Sequence, residues 1–152
     1  MWTLECNPFV RGGTSVADLY LDACCFIYLV EGAPRWRRPL QQRIQSLPDD
    51  ARVLTSQLTR LECRSKPLRD NDQTVLALYD SLFSAGRVKL IDIGAPIIDR
   101  ATLLRAAYNL KTPDALHVAS AIMSGASVFL TGDSAIARCA DIKVEIIVPD
   151  DQ

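Results

Sequence analysis

A short apolar run that stops at an aspartate is the feature of this chain that most constrains its fold. Leu19, Tyr20 and Leu21 predict a buried strand, and Asp22 follows them directly. The next apolar run, residues 23–30, predicts a helix that begins beside this carboxylate. In open α/β sheets, ligands bind outside the carboxyl ends of the strands. Asp22 therefore stands where such a fold places its functional groups.

Strand patterns recur along the chain, and each is followed by apolar residues at helical spacing. Four further strands are predicted, at Arg52–Thr55, Val88–Ile93, Ser127–Thr131 and Val144–Val148. Helices between successive strands connect them in parallel and cover both faces of the sheet. We therefore expect a five-stranded parallel sheet of the α/β class.

Local signals predict where two of the helices begin and end. The helix after the second strand is expected to begin at a Ser56 cap and to end at Pro67. Leu58 and Leu61 form its predicted inward face. A later helix is expected to begin with Thr112 as its N-cap, because a proline in the first helical position follows it.

The composition fits one globular domain behind a leader. The chain has 152 residues, of which 49% are hydrophobic, and a formal net charge of −1. This is enough for one substantial core, and any basic surface must be local. We expect a single domain at residues 18–150, preceded by a flexible leader at residues 1–17 that contains Pro8 and the pair Gly12-Gly13.

The cysteines and the apolar runs bear on the location of the protein. The five cysteines are odd in number and form no Cys-x-x-Cys pair, which favours reduced thiols over a disulfide framework or a zinc site. No apolar stretch is as long as a membrane span, and residues 1–10 lack the features of a signal peptide. The expected location is cytoplasmic.

Three other carboxylates occupy places comparable to that of Asp22. Asp133 directly follows the fourth strand, Asp114 falls in the first turn of a helix, and Glu62 lies within the helix after the second strand. Carboxylates that converge repel one another unless a cation is present, and hard oxygen ligands suit Mg²⁺ or Mn²⁺. Taken singly, each aspartate is also explained as a helix cap, and Glu62 as a solvated helix residue.

Four segments together resemble the motifs of PIN-domain ribonucleases, above all the VapC-type toxins of bacterial toxin–antitoxin pairs. In chain order they are Leu19–Ala23, Leu54–Glu62, Thr112–Ala119 and Phe129–Asp133. The resemblance covers about residues 18–150 and implies a three-layer α/β/α sandwich around the sheet. It implies that four acids are catalytic and bind the metal, with Thr131 as a supporting hydroxyl. These acids are Asp22, Glu62, Asp114 and Asp133.

The same resemblance implies a metal-dependent endoribonuclease. A Mg²⁺ or Mn²⁺ ion would lower the pKa of a water so that it attacks an RNA phosphodiester near neutral pH. The expected products carry a 5′-phosphate and a 3′-hydroxyl. The resemblance also implies two protein partners, namely a cognate antitoxin that blocks the site and a second copy of the chain in a homodimer.

His117 is the single histidine of the chain and lies three residues after Asp114, on one side of the same helix. This spacing would suit a metal ligand or a proton shuttle. On an apolar helix face, however, a histidine more often packs and forms hydrogen bonds. We expect this second role.

A basic cluster stands on the helix that is predicted to begin near Pro34. We expect Arg35, Arg37 and Arg38 to contact RNA phosphates near the acids, because carboxylates repel the RNA backbone. A solvated helix face explains the same charges. Trp36 falls on the apolar face of this helix, which assigns it to the core or to a groove for the antitoxin or a second copy.

Two other classes of function stay open. A PIN-like scaffold without activity would bind RNA or protein. A different α/β phosphate-ester hydrolase, or a receiver domain, would also place an aspartate after a strand. Aspartyl phosphatases need a second acid two residues after Asp22, where Cys24 stands, and the acidic pair and strand-end lysine of a receiver are not visible. A metal-dependent RNA cleavage assay separates these alternatives.

Overall fold

A computed structural model describes residues 17–151, so the expected leader lies outside the described residues except for Ala17. Strands and helices alternate along the described chain. In chain order they are β1 (Leu19–Leu21), α1 (Ala23–Glu31), α2 (Pro34–Gln45), β2 (Val53–Ser56), α3 (Gln57–Arg69), α4 (Gln73–Phe83), β3 (Val88–Ile91), α5 (Ala95–Tyr108), α6 (Thr112–Met123), β4 (Val128–Thr131), a 3₁₀ helix (Ser134–Arg138) and β5 (Lys143–Ile146). The predicted strand boundaries agree with these within two residues.

The five strands form one sheet in the order β3-β2-β1-β4-β5, and every pair is parallel. This confirms the predicted five-stranded parallel sheet. β1 lies at its centre, and Leu21 stands opposite Leu130 of β4. The residues that follow these two strands therefore leave the sheet side by side.

Alternate side chains of β1 pack into two separate cores. Leu19 and Leu21 belong to a cluster with residues of α1 to α4. Tyr20 belongs to a second cluster, with Phe129 of β4 and residues of α5 and α6. The sheet thus lies between two helical layers, which confirms the three-layer α/β/α sandwich. Among residues 17–151, the structure contains no helix with the length and apolar character needed to cross a membrane.

The inward face of α3 differs from the prediction. Thr59, Cys63 and Pro67 are buried, whereas Leu61 is 64% exposed. Cys63 faces α1, and its Sγ lies 3.9 Å from the carbonyl oxygen of Ala23. Pro67 does not end the helix, which continues to Arg69 because the amides beyond the proline still find helical carbonyls.

The predicted start of α3 at a Ser56 N-cap is confirmed, whereas the predicted N-cap of α6 is wrong. Ser56 occupies the N-cap position of α3 but its side chain makes no capping hydrogen bond. Thr112 is the first residue inside α6, and Lys111 is the N-cap. The reason is that the amide of Ala115 donates to the carbonyl of Lys111 at 2.9 Å, which starts the helical ladder one residue earlier.

The junction between α1 and α2 depends on a close backbone approach at Gly32. The amide of Gly32 donates to the carbonyl oxygen of Tyr28 at 3.1 Å and so ends α1. A Cβ at Gly32 would lie within 3 Å of three backbone atoms of Tyr28. A larger residue therefore requires the backbone at the end of α1 to shift.

Replacing Gly32 with alanine should destabilise the protein by about 1–3 kcal/mol, since backbone must shift to admit the methyl group. Gly86→Ala is the matched control, because nothing lies within 4 Å of the Cβ position there. Urea denaturation measures both variants. Equal unfolding free energies for the two variants would contradict the close approach at Gly32.

Candidate active site

A small cleft of about 150 Å³ opens at the carboxyl edge of the sheet. Its lining consists of Asp22, Ala23, Cys24, Glu62, Asp114, His117 and Asp133. The structure thus brings the four predicted acids to one place, although they come from four separate segments. Their catalytic and metal-binding roles remain predictions. A larger groove of about 490 Å³ lies between α1, α2 and α4 and contains none of these acids, so size alone does not identify the site.

Both carboxylate oxygens of Asp22 are held by hydrogen bonds. Asp22 is the N-cap of α1, and its Oδ1 accepts from the amide of Cys25 at 3.4 Å. The same oxygen accepts from the Cys24 thiol at 2.8 Å, and Oδ2 accepts from the hydroxyl of Thr131. The residue is 7% exposed. Asp22 therefore presents a fixed carboxylate to the cleft.

Thr131 connects the acids that follow β1 and β4. It is fully buried at the end of β4. Its hydroxyl donates to Asp22, and its Oγ1 accepts from the amide of Asp133 at 3.0 Å. Asp133 in turn caps the 3₁₀ helix by accepting from the amide of Ala135 at 2.9 Å. This is the geometry expected of a supporting hydroxyl, while its part in a reaction stays a prediction.

Glu62 reaches the cleft from α3 and contacts His117 of α6. His117 is 3% exposed, and its Nε2 lies 3.0 Å from Oε1 of Glu62. Its other ring nitrogen, Nδ1, lies 2.9 Å from the hydroxyl of Tyr20. His117 is thus packed and hydrogen-bonded, as expected. The contact of His117 with Glu62 was not predicted, because spacing along the sequence does not indicate which residue of α3 faces α6.

Asp114 experiences the repulsion that converging acids imply. It lies in the first turn of α6 and is half-buried. Burial raises the pKa of the Asp114 carboxyl above its ordinary value, and the nearby charges of Asp133 and Asp22 raise it further. A cation in the cleft would offset this repulsion.

Cys24 is the cleft residue that sequence reasoning missed. Its thiol donates to Asp22, and its sulfur accepts from the amide of Gly132 at 3.2 Å. The one available signal was its place two residues after Asp22, in the first turn of α1. Cys25 is buried, donates to the carbonyl of Leu130 at 3.4 Å, and burial raises its thiol pKa.

Asp22, Cys24 and Cys25 each offer one possible metal-ligand atom, a carboxylate oxygen or a sulfur, and these three atoms lie within 4.8 Å of one another. Both thiols nevertheless donate hydrogen bonds, and zinc sites require thiolates. This trio therefore does not fit a zinc centre. The carboxylate oxygens of the cleft fit a hard divalent cation instead.

The basic cluster of α2 is joined to the site by stacked side chains. The Tyr28 ring packs against Gly132, next to Asp133, and stacks on Trp36 with ring centroids 4.6 Å apart. The Arg35 guanidinium lies 5.8 Å from the Trp36 ring centroid. Trp36 is half-buried against the core.

The three arginines of this cluster differ in their contacts. The Arg38 side chain is 58% exposed and lies 3.7 Å from a carboxylate oxygen of Asp150. Arg37 donates to the carbonyl of Gly32 at 2.8 Å. Arg35 and Arg38 are therefore the two whose charges face solvent, whereas Arg37 is engaged with the backbone.

Comparison with known proteins identifies the fold and the family. The PIN-domain family model matches residues 19–142. VapBC2 from Rickettsia felis, bound to a DNA fragment from its promoter, is 16% identical, with a TM-score of 0.71, over 87% of this chain and 98% of that chain. A toxin–antitoxin complex from Klebsiella pneumoniae is 21% identical, with a TM-score of 0.65, over 82% and 95%.

A third structure, VapC20 from Mycobacterium tuberculosis, is described as a sarcin–ricin loop cleaving toxin. It is 14% identical, with a TM-score of 0.65, over 83% of this chain and 99% of that chain. At these identities the likeness shows a shared fold. No curated protein matches the chain.

The raised pKa of Asp114 predicts a pH-dependent effect of Asp114→Asn on stability in metal-free buffer. The folded state binds the proton more tightly than the unfolded state, so this contribution is present below the ordinary carboxyl pKa and lost as pH rises through the raised value. The asparagine variant should therefore gain stability relative to wild type from about pH 4 towards neutrality. Thermal melts across this range test it, with exposed Asp99→Asn as control. Parallel pH profiles for wild type and Asp114→Asn would refute it.

Proposed function

The chain belongs to the PIN-domain family, and from this membership we propose that it is a metal-dependent endoribonuclease, the toxin of a type II toxin–antitoxin pair. One observation carries the proposal. Four carboxylates from four separate segments line one cleft at the carboxyl edge of a parallel sheet. A fold gains nothing in stability from bringing like charges together, so this arrangement favours a function.

The donors of the cleft suit Mg²⁺ or Mn²⁺. Oxygens of Asp22, Glu62, Asp114 and Asp133 would hold the ion, since hard divalent cations prefer carboxylate ligands. A bound ion supplies a water of lowered pKa and neutralises charge that develops on the phosphate. The raised pKa of Asp114 supports a site that is completed by positive charge.

The side chains around the acids fix their positions. Thr131 and Cys24 donate hydrogen bonds to the carboxylate of Asp22, and Thr131 also accepts a hydrogen bond from the amide of Asp133. These contacts keep the acids in place before a substrate arrives, which lowers the cost of assembling the site. Buried hydroxyl and thiol groups are well suited to this because they add no further charge.

RNA is the proposed substrate, as the description of the Mycobacterium tuberculosis neighbour suggests for a toxin of this fold. An acidic cleft repels a polyanion, so positive charge nearby is needed to hold the backbone. Arg35 and Arg38 supply exposed charge on α2, which the contacts of Tyr28 and Trp36 connect to the turn before Asp133. We propose that Arg35 and Arg38 contact RNA phosphates. Arg37 contributes less to this binding, because its guanidinium donates to the carbonyl of Gly32.

An antitoxin is the proposed protein partner, because the Rickettsia felis and Klebsiella pneumoniae neighbours are toxin–antitoxin complexes. The groove between α1, α2 and α4 offers an apolar surface for it, lined in part by Leu29, Leu78 and Leu82. We further propose a homodimer and a cytoplasmic location. The cysteines of the described residues are free thiols, which agrees with a reducing compartment.

Asp22→Asn should reduce metal-dependent RNA cleavage by roughly 100-fold or more, the scale lost with one electrostatic group. The fold should survive, because asparagine also caps helices well. The assay follows a labelled RNA with Mg²⁺ or Mn²⁺ and with EDTA, and exposed Asp99→Asn is the control. Cleavage by the variant at the wild-type rate would remove Asp22 from the mechanism. Wild-type RNA binding without any cleavage would instead favour an inactive binding module.

The double variant Arg35→Glu/Arg38→Glu should bind RNA more weakly and with a flatter salt dependence. Each lost phosphate contact lowers the slope of log K against log salt by somewhat less than one unit. RNA titrations at several ionic strengths measure this slope. The control is the double variant Arg69→Glu/Lys89→Glu, which makes the same change in net charge at two exposed positions outside α2. An equal effect of both double variants would mean that α2 has no specific part in RNA binding.

A further inference from the structure

Glu62 is the acid of the cleft with the longest side chain, and its backbone lies in the middle of a helix rather than at a strand end. The side chain is 33% exposed. A glutamate in this setting samples several rotamers unless a neighbour holds it. The contact of its Oε1 with His117 Nε2, at 3.0 Å, supplies such a neighbour.

His117 is itself held from the opposite side by Tyr20. The Tyr20 hydroxyl lies 2.9 Å from Nδ1 of His117. Tyr20 is fully buried at the centre of β1, and its ring stacks on Phe129 with centroids 5.3 Å apart. The His117 ring meets Tyr20 edge-on, at 6.0 Å and 63°. The chain of contacts thus begins on the buried central strand of the sheet and ends at the cleft.

One tautomer of His117 is compatible with both of its contacts when Tyr20 acts as a donor. The Tyr20 hydroxyl, 2.9 Å from Nδ1 of His117, has a single proton that it can donate. If the Tyr20 hydroxyl donates to Nδ1, the neutral imidazole carries its proton on Nε2. That proton is then donated to the Glu62 carboxylate. Both ring nitrogens of His117 have a hydrogen-bond partner in this arrangement.

We propose that Tyr20 and His117 are positioning residues that hold Glu62 in a single orientation facing the cleft, ready to receive a divalent cation. Neither residue needs to touch the metal or the RNA. Outer hydrogen bonds of this kind orient the ligands of metal sites and raise their affinity for the ion. The inference rests on the proposed function, because it takes Glu62 to be a ligand.

Tyr20→Phe is the sharpest test, since it removes one buried hydroxyl and leaves the ring. Tyr79→Phe is a matched control. Tyr79 is also fully buried, and its hydroxyl donates to the carboxylate of Glu31 in the helical layer on the other face of the sheet. Mn²⁺ binding without RNA, followed by the electron paramagnetic resonance of the free ion, should weaken roughly 10-fold in Tyr20→Phe. Tyr79→Phe should bind Mn²⁺ like wild type although both variants lose thermal stability.

A second pair of variants decides the matter if Tyr20→Phe does not fold. His117→Gln keeps an N–H donor for Glu62, whereas His117→Leu keeps only bulk. The glutamine variant should therefore retain more Mn²⁺ affinity than the leucine variant. Equal losses in the two, or equal Mn²⁺ affinity in Tyr20→Phe and Tyr79→Phe, would overturn the inference.

Nitrogen NMR of the tag-free protein gives a readout independent of metal, because the chain has a single histidine. The expected spectrum shows the neutral tautomer with the proton on Nε2, and Tyr20→Phe should shift the Nδ1 signal. A proton on Nδ1 alone would overturn the assigned chain. If wild-type protein binds no Mn²⁺ but shows the expected tautomer, the proposed function fails while the hydrogen-bonded chain stands.

Discussion

The carboxylate of Asp22 joins the adjacent strands β1 and β4 to α1, and the site is built around that junction. It caps α1, accepts from Thr131 at the end of β4, and accepts from Cys24. A buried carboxylate without such donors is strongly unfavourable, so these contacts are a condition of the fold as well as of the site. The parallel pairing of β1 with β4 brings Thr131 and Asp133 within reach. The site therefore inherits its geometry from the centre of the sheet.

Both helical layers contribute to the cleft. α3, whose Cys63 belongs to the core on one face, carries Glu62, and α6 on the other face carries Asp114 and His117. The cleft is complete only when both layers are packed on the sheet. The oxygen donors of the cleft repel one another in the absence of a cation. Their convergence consequently depends on the folding of the whole domain rather than on one loop.

The sheet and the positions of Asp22 and Asp133 after strands were predictable from the sequence. Buried strands show as local apolar runs, and a residue that directly follows a parallel strand lies at the carboxyl edge of the sheet. The prediction failed on α3, where leucines suggested the inward face but the buried residues are Thr59, Cys63 and Pro67. The chain from Tyr20 through His117 to Glu62 was beyond sequence reasoning as well. It depends on how β1, α3 and α6 cross in space, and no spacing along the chain encodes that crossing.

The burial of the cysteines gives the protein a built-in chemical reporter. Among residues 17–151, Cys25, Cys63 and Cys139 are buried, and Cys24 alone lines the cleft. A thiol-alkylating reagent small enough to enter should therefore react at Cys24 before the other three. Whatever covers the cleft, an ion, a strand of RNA or a segment of a protein partner, slows that reaction. Labelling kinetics read by mass spectrometry thus report occupancy of the site on the native chain, with no fluorophore and no turnover.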